Sequence, residues 1–223
     1  MRQVVLNFHG IGKAKRPMEP GEGQYWVSKD FFEQTMILAG RHKDRVRVDI
    51  TFDDGNLSDL EIALPILTRH ARRATFFVLA DRIGSPGSLG ADDMREIVRA
   101  GHQIGSHGAA HINWRTASPA VLEHELGKNT RDAIEKAGGQ HVTAAAIPFG
   151  SYNATVLKAL SRHGYRHVYS SDGGPWLQRQ WPIPRTSPKS EMTTGDIEDI
   201  MLGREPTAVR LRRMLSMRLK RLV

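Results

Sequence analysis

Apolar residues along the chain fall into short runs, separated by stretches in which they recur every three or four positions. The runs cover residues 3–8 (QVVLNF), 46–52 (VRVDITF), 74–80 (ATFFVLA), 102–106 (HQIGS), 142–147 (VTAAAI) and 166–170 (RHVYS), with a short last one near residues 181–184. Such runs predict strands, and their near-continuous apolar character is that of strands covered on both faces. Helices are predicted to begin after Ser28, Ser58 and Asn153 and at Ser118, where Pro119 takes the first helical position, and to stop near Gly40, Gly101, Gly138 and Gly164. Strand and helix alternate throughout. The pattern therefore predicts an α/β fold, a parallel sheet of right-handed crossovers closed or nearly closed into a single barrel of about seven strands.

Composition narrows the class. An apolar fraction of 39% beside 25% charged residues belongs to a folded globular chain, and no apolar run approaches the roughly 20 residues of a membrane-spanning helix. With no cysteine, thiolate ligands and nucleophiles are excluded. Residues 1–8 are too short for the core of an export signal and no small-residue cleavage site follows, so a cytoplasmic location is expected.

The net charge of +8 is mostly a property of one end. The last 14 residues, RLRRMLSMRLKRLV, hold six basic groups (Arg210, Arg212, Arg213, Arg218, Lys220, Arg221) and no acid, which leaves the rest of the chain at only +2. Leu211, Met214, Leu215, Arg218, Leu219 and Leu222 recur there at helical spacing, with the other basic residues between them. The chain is thus expected to divide into a main domain over residues 1–205 and a basic amphipathic helix over 206–223. That helix either packs on the domain or makes a peripheral contact with the inner face of a membrane. Nucleic acid is not an expected partner, because the basicity lies in the tail and the body carries no docking motif.

In barrels of parallel strands, chemistry sits where the strands end. The first run ends on His9, followed by an irregular Gly- and Pro-rich stretch over residues 10–27. The second ends in Asp53-Asp54-Gly55, two carboxylates that diverge and can divide metal binding from proton transfer. The fourth leads into His107-Gly-Ala-Ala-His111, two imidazoles expected on one side of a helical turn. Two histidines and one carboxylate with open positions are the usual ligand set of catalytic zinc. Later strand ends carry Pro148-Phe149-Gly150-Ser151-Tyr152 and Ser171-Asp172-Gly173-Gly174-Pro175-Trp176.

In this order and at these intervals, TFDDG (51–55), SHGAAH (106–111), PFGSYN (148–153) and SDGGPW (171–176) resemble the motifs of the polysaccharide deacetylases, the family-four carbohydrate esterases, across residues 46–185. The resemblance implies a distorted (β/α)7 barrel and metal-dependent removal of N-acetyl groups from amino sugars of a glycan. It assigns Asp53 as general base, Asp54, His107 and His111 as ligands of a divalent metal (zinc, with cobalt or nickel as alternatives), and the Phe149 backbone N–H as an oxyanion donor.

Two family features are missing from their usual places. An arginine that steadies the base normally stands two residues before the proline of the third motif, where this chain has Ala146; Arg185 is a candidate replacement or substrate contact. The family's closing Leu-x-His motif, whose histidine is the general acid, is also absent, since the last strand region reads WPIPRTS. A closed barrel is circular, so its final strand can be encoded first. Leu6-Asn7-Phe8-His9 fits Leu-x-His with one extra residue and resembles the circularly permuted poly-N-acetylglucosamine deacetylases, which makes His9 the expected acid. Trp114, Trp176 and Tyr152, with Tyr25 and Trp26, are the expected sugar-stacking groups, and Asp172 a further substrate contact. Alternatives are an O-acetyl esterase or other amidohydrolase on the same site, and a catalytically silent glycan binder motivated by Ala146.

Overall fold

Five consecutive residues, Val4 to Phe8, are buried in the first strand, β1 (Arg2–Phe8), without any alternation. That is the signature of a strand with side chains packed on both faces. It belongs to a computed structural model that describes residues 1–177 and 180–222, without the side chain of Leu222, so that part of the expected C-terminal helix stripe and Val223 lie outside the described residues. Beyond β1, the chain forms a small parallel pair, β2 (Gly10–Ile11) and β3 (Trp26–Val27), which frames the loop between them.

The main sheet continues with β4 (Val46–Phe52), β5 (Ala74–Val78), β6 (Gln103–Ser106), β7 (Ala144–Ala146), β8 (His167–Ser170) and β9 (Ile183–Pro184). Its order is β1-β4-β5-β6-β7-β8-β9, every pair parallel. The ring then closes. Thr186 N–H donates to the Val5 carbonyl and Asn7 N–H to the Thr186 carbonyl, both at 2.9 Å, so the segment after β9 pairs with β1. The expected seven-stranded barrel is the fold, and the strand encoded first stands beside the last-encoded segment of the barrel.

Helices α1 (Lys29–Arg41), α2 (Leu64–Arg69), α3 (Ala91–Arg99), α4 (Pro119–Leu126), α5 (Lys128–Gly138), α6 (Ala154–Arg162), α7 (Thr194–Leu202) and α8 (Thr207–Leu222) follow the strands. Ser28, Ser118 and Asn153 cap α1, α4 and α6 through their side-chain oxygens. Ser58 does not cap a helix: its hydroxyl accepts from Ile11 N–H at 3.2 Å, tying β2 to the loop after β4, and a π-helical turn over Asp59–Ala63 leads into α2. Gly40 lies inside α1, and the left-handed stop of α5 is Gly139 rather than Gly138, whereas Gly101 and Gly164 take positive φ just past α3 and α6. The core is built on Phe8, Phe32, Phe52 and Phe76, with Phe52 and Phe76 stacked at 4.6 Å and Phe8 edge-on to Phe32 at 4.8 Å.

Candidate metal and catalytic site

The carboxyl ends of β1, β4 and β6 open on one cleft of about 290 Å³, lined by His9, Asp53, Asp54, His107, His111 and Phe149 and roofed by Glu19 to Tyr25 of the β2–β3 loop. At the end of β4 the backbone turns left-handed at Asp54 (φ 75°) and Gly55 (φ 63°). A non-glycine residue held there is strained by about 1–3 kcal/mol, and the turn sends the two adjacent carboxylates in different directions.

Asp54 points to the histidines. Its Oδ1 is buried with no hydrogen-bond partner among the described residues, and lies 3.7 Å from His107 Nε2 and 3.5 Å from His111 Nε2. The other nitrogens are occupied: His107 Nδ1 meets the Ala146 carbonyl at 2.9 Å, and His111 Nδ1 meets Glu19 Oε2 at 2.8 Å. Each ring therefore turns Nε2 inward, and the three donor atoms stand within 4.8 Å of one another. Burial drives His107 down to about 4, with Asp53 and Asp54 partly opposing it, so the ring is neutral at neutral pH, as a ligand must be. An orphaned carboxylate oxygen facing two inward-turned imidazole nitrogens fits a divalent cation.

The two histidines are not on a helical turn. They sit on an irregular loop in which Gly108 (φ 88°) and His111 (φ 55°) are left-handed. A buried acid of α4 holds that loop: Glu125 accepts from Ala109 N–H at 3.0 Å, Ala110 N–H at 3.1 Å and Trp114 Nε1 at 3.1 Å.

Asp53 faces the barrel axis. Arg185 grips it in bidentate fashion, Nη1 to Oδ1 and Nη2 to Oδ2 at 2.7 Å each, and Asn7 Nδ2 donates to Oδ2 at 3.0 Å. Arg185 itself is fully buried among Asn7 Oδ1, Thr51 and the faces of Phe77 and Tyr169. Burial alone would raise the Asp53 carboxyl, but the charge of Arg185 and its hydrogen bonds outweigh it and hold the group well below the usual carboxylate range. Three bonds leave one lone pair of Oδ1 open. Deeper in, burial and the charges of Asp54 and Asp53 push Asp59 well above that range.

His9 stands one residue past β1, its ring stacked on Tyr25 at 4.8 Å and its Nδ1 buried without a partner among the described residues. Asn56 Nδ2 donates to its carbonyl at 3.0 Å, and Asn56 Oδ1 accepts from Arg16 at 2.8 Å. Arg16 pairs with Glu22, and Glu19, the partner of His111, pairs with Arg82. These bonds fold residues 10–27 over the site.

Several expected substrate contacts need correction. Trp114 and Tyr152 are fully buried and cannot stack on a sugar; the tyrosine hydroxyl donates to Asp172 at 2.8 Å. Asp172 also accepts from Ser170 and from Lys220 of α8, so its carboxylate is spent inside the protein. Trp176 lies at the opposite mouth, because after β8 the chain runs back antiparallel to β1 and the Trp176 N–H donates to the Gln3 carbonyl at 2.8 Å. Trp26 is set against Gly10, where an added Cβ would fall 2.2 Å from its ring. Arg185 is too deep to touch a substrate. The aromatic side chains that line the cleft are Tyr25 and Phe149; Phe149 is left-handed (φ 57°), exposed, and lies over His111 at 4.5 Å.

Glu19, Asn56, Asn7 and Glu125 are positioning residues without a sequence signal, since each acts across a long chain separation or reads as a surface polar group.

A family model described as polysaccharide deacetylase matches residues 40–168. The chain is 30% identical over 136 residues to a chitooligosaccharide deacetylase of Bradyrhizobium sp., covering 59% of each. To the peptidoglycan-N-acetylglucosamine deacetylase PgdA of Listeria monocytogenes it is 31% identical over 119 residues, 53% of this chain and 24% of that one. It spans about half the length of the curated relatives it matches. In structure it is similar to the Streptococcus pyogenes deacetylase PplD in complex with acetate, with a TM-score of 0.76 at 24% identity, over 92% of this chain and 99% of that one, a likeness of fold.

Proposed function

Because the chain belongs to the polysaccharide deacetylase family, we propose that it removes acetyl groups from N-acetylhexosamine units of a polysaccharide or of its biosynthetic intermediate. One observation carries the reading: a ligand set of Asp54, His107 and His111, a paired carboxylate at Asp53 and an imidazole at His9 all face one cleft. A divalent ion, zinc or else cobalt or nickel, held by the three ligands would polarise the acetamide carbonyl and lower the pKa of a water from 15.7 towards about 7.

The chain's own groups do the rest. Asp53, ionised and fixed by Arg185 and Asn7, accepts the proton of the attacking water at the open lone pair of Oδ1. The water oxygen bonds to the acetyl carbon while the Phe149 N–H donates to the carbonyl oxygen as charge develops there. His9 in its protonated form, steadied by Tyr25 and by the Asn56 bond to its carbonyl, gives a proton to the amine nitrogen as the C–N bond breaks. Acetate and a free amino sugar leave, and both side chains return to their starting states by exchange with solvent. Tyr25 and Phe149 offer the rings for a pyranose face.

The Arg185–Asp53 pair supports an active base over a silent binding role, because it supplies the contact that Ala146 cannot. Acetate release from a panel of N-acetylated oligosaccharides, before and after metal stripping and reconstitution, tests the proposal. Release that depends on the restored ion is expected; a metal-loaded chain that releases none from any substrate refutes it.

A further inference from the structure

Helix α8 packs with its faces reversed. Arg213, Met217 and Lys220, at helical spacing, make its contacts with the barrel side: Arg213 lies against Gly173 and Gly174 and pairs with Glu205 of the preceding link, Met217 is buried, and Lys220 Nζ donates to the Gly150 carbonyl at 3.0 Å and to Asp172 at 2.6 Å. The apolar stripe of Leu211, Met214, Leu215 and Leu219 points away, each side chain 55–63% exposed. An amphipathic helix on a globular domain ordinarily turns its apolar stripe to the core. Here the charged residues hold the barrel and the leucines are left outside.

Exposed Arg210, Arg212 and Arg221 flank that stripe, Arg218 rises from within it, and residues 207–222 contain no acid. A second copy laid on the stripe would set arginines against arginines with nothing to pair them. A purely acidic partner would meet the guanidinium groups and leave the leucines in water. An anionic bilayer satisfies both, with leucines at the acyl boundary and arginines at the headgroups. We propose that α8 docks the protein on an anionic membrane surface.

The same helix touches the catalytic end of the barrel. Gly150, held by Lys220, directly follows Phe149, whose exposed ring covers His111, and Arg115 shares a groove with Leu215 and Leu219. Docking through α8 therefore sets the mouth of the cleft beside the bilayer. On the deacetylase reading proposed above, the substrates it favours are glycans held at that surface by a lipid anchor.

The test is co-sedimentation of the full chain with vesicles of phosphatidylcholine alone or mixed with phosphatidylglycerol, together with a Leu215→Glu/Leu219→Glu variant checked for unchanged thermal unfolding. The wild type is expected to bind the anionic vesicles at least tenfold more tightly than the neutral ones, to weaken as salt rises, and to lose binding in the variant. No binding to anionic vesicles, equal binding to neutral ones, or an unaffected variant overturns the proposal. So does a concentration-dependent dimer that the variant abolishes, which would assign the stripe to a second copy. A separate arm compares acetate release from soluble and lipid-anchored N-acetylated oligosaccharides. The variant is expected to match the wild type on the soluble substrate and to lose the advantage on the anchored one. Equal loss on both contradicts the role of α8, whereas no release from either, with vesicle binding intact, counts against the deacetylase reading instead.

Discussion

Replacing Arg185 by Met removes one partner of a fully enclosed ion pair. The Arg185 side chain is 0% exposed and that of Asp53 3%, so water screens neither. Breaking such a pair leaves an uncompensated buried charge, at a typical loss of about 3–5 kcal/mol. For a chain of this size that corresponds to a fall in Tm of about 6–20 °C. The pH dependence distinguishes this cause from simple loss of packing. In the wild type the folded Asp53 titrates below its unfolded value of about 4, so its contribution is present above that pH and lost as pH falls through the folded value. In the variant, burial is no longer opposed by the guanidinium and raises the carboxyl, so the variant takes up a proton on mild acidification and recovers. The gap between the two proteins is therefore expected to be widest at neutral pH and to narrow towards pH 4. Urea unfolding at several pH values reads it, and turnover at neutral pH should fall with metal content unchanged. A gap below about 1 kcal/mol at pH 7, or one that widens on acidification, refutes the role given to the pair.

Other outcomes follow from the same geometry. His9→Ala is expected to keep fold and bound metal while N-deacetylation drops by about 10² to 10⁴, and to retain more activity on an O-acetyl ester, whose leaving group needs less protonation; steady-state acetate release on both substrates checks it. Glu19→Gln weakens the hold on His111 Nδ1, and competition with a chelating dye should show metal affinity lower by about 10- to 100-fold. In chelator-treated protein, His107 resists protonation down to about 4 while its unfolded form titrates near 6.5, so stability should fall as pH drops between those values, by up to about 3 kcal/mol. His107→Gln should flatten that part of the stability profile measured by denaturant titration.

Much of this was legible in the chain because barrel strands announce themselves locally. The unbroken burial of Val4 to Phe8 and the register of Val46 to Phe52 follow the apolar runs, and a strand end is also where the next polar residues must face solvent or a site. Asp53, Asp54, His107 and His111 stood out for that reason. Contacts set by closure of the ring are not written in any local pattern. Arg185 reaches Asp53 across 132 residues, as expected of a replacement for the arginine missing at Ala146, but only the family pattern and no local one points to it; Glu19 reaches His111 across 92 residues with no signal at all. Aromatic residues misled because a strand end does not state which way the chain turns next: Trp114 falls inward onto Glu125, and Trp176 is carried back along the edge of β1 to the far mouth. The helical turn expected between the histidines gives way to left-handed residues, since Glu125 holds the loop by its backbone N–H groups. In α8 the periodicity was plain, but which face would meet the barrel was not.

The most direct measurement titrates zinc into the metal-stripped chain while following acetate release from an N-acetylglucosamine oligosaccharide, beside an Asp53→Asn variant in which metal binding is followed separately. Activity is expected to rise to a plateau at one ion per chain, and the variant to bind that ion with little change in affinity while losing nearly all turnover. Acetate release without the ion, or wild-type turnover in the variant, would contradict the account.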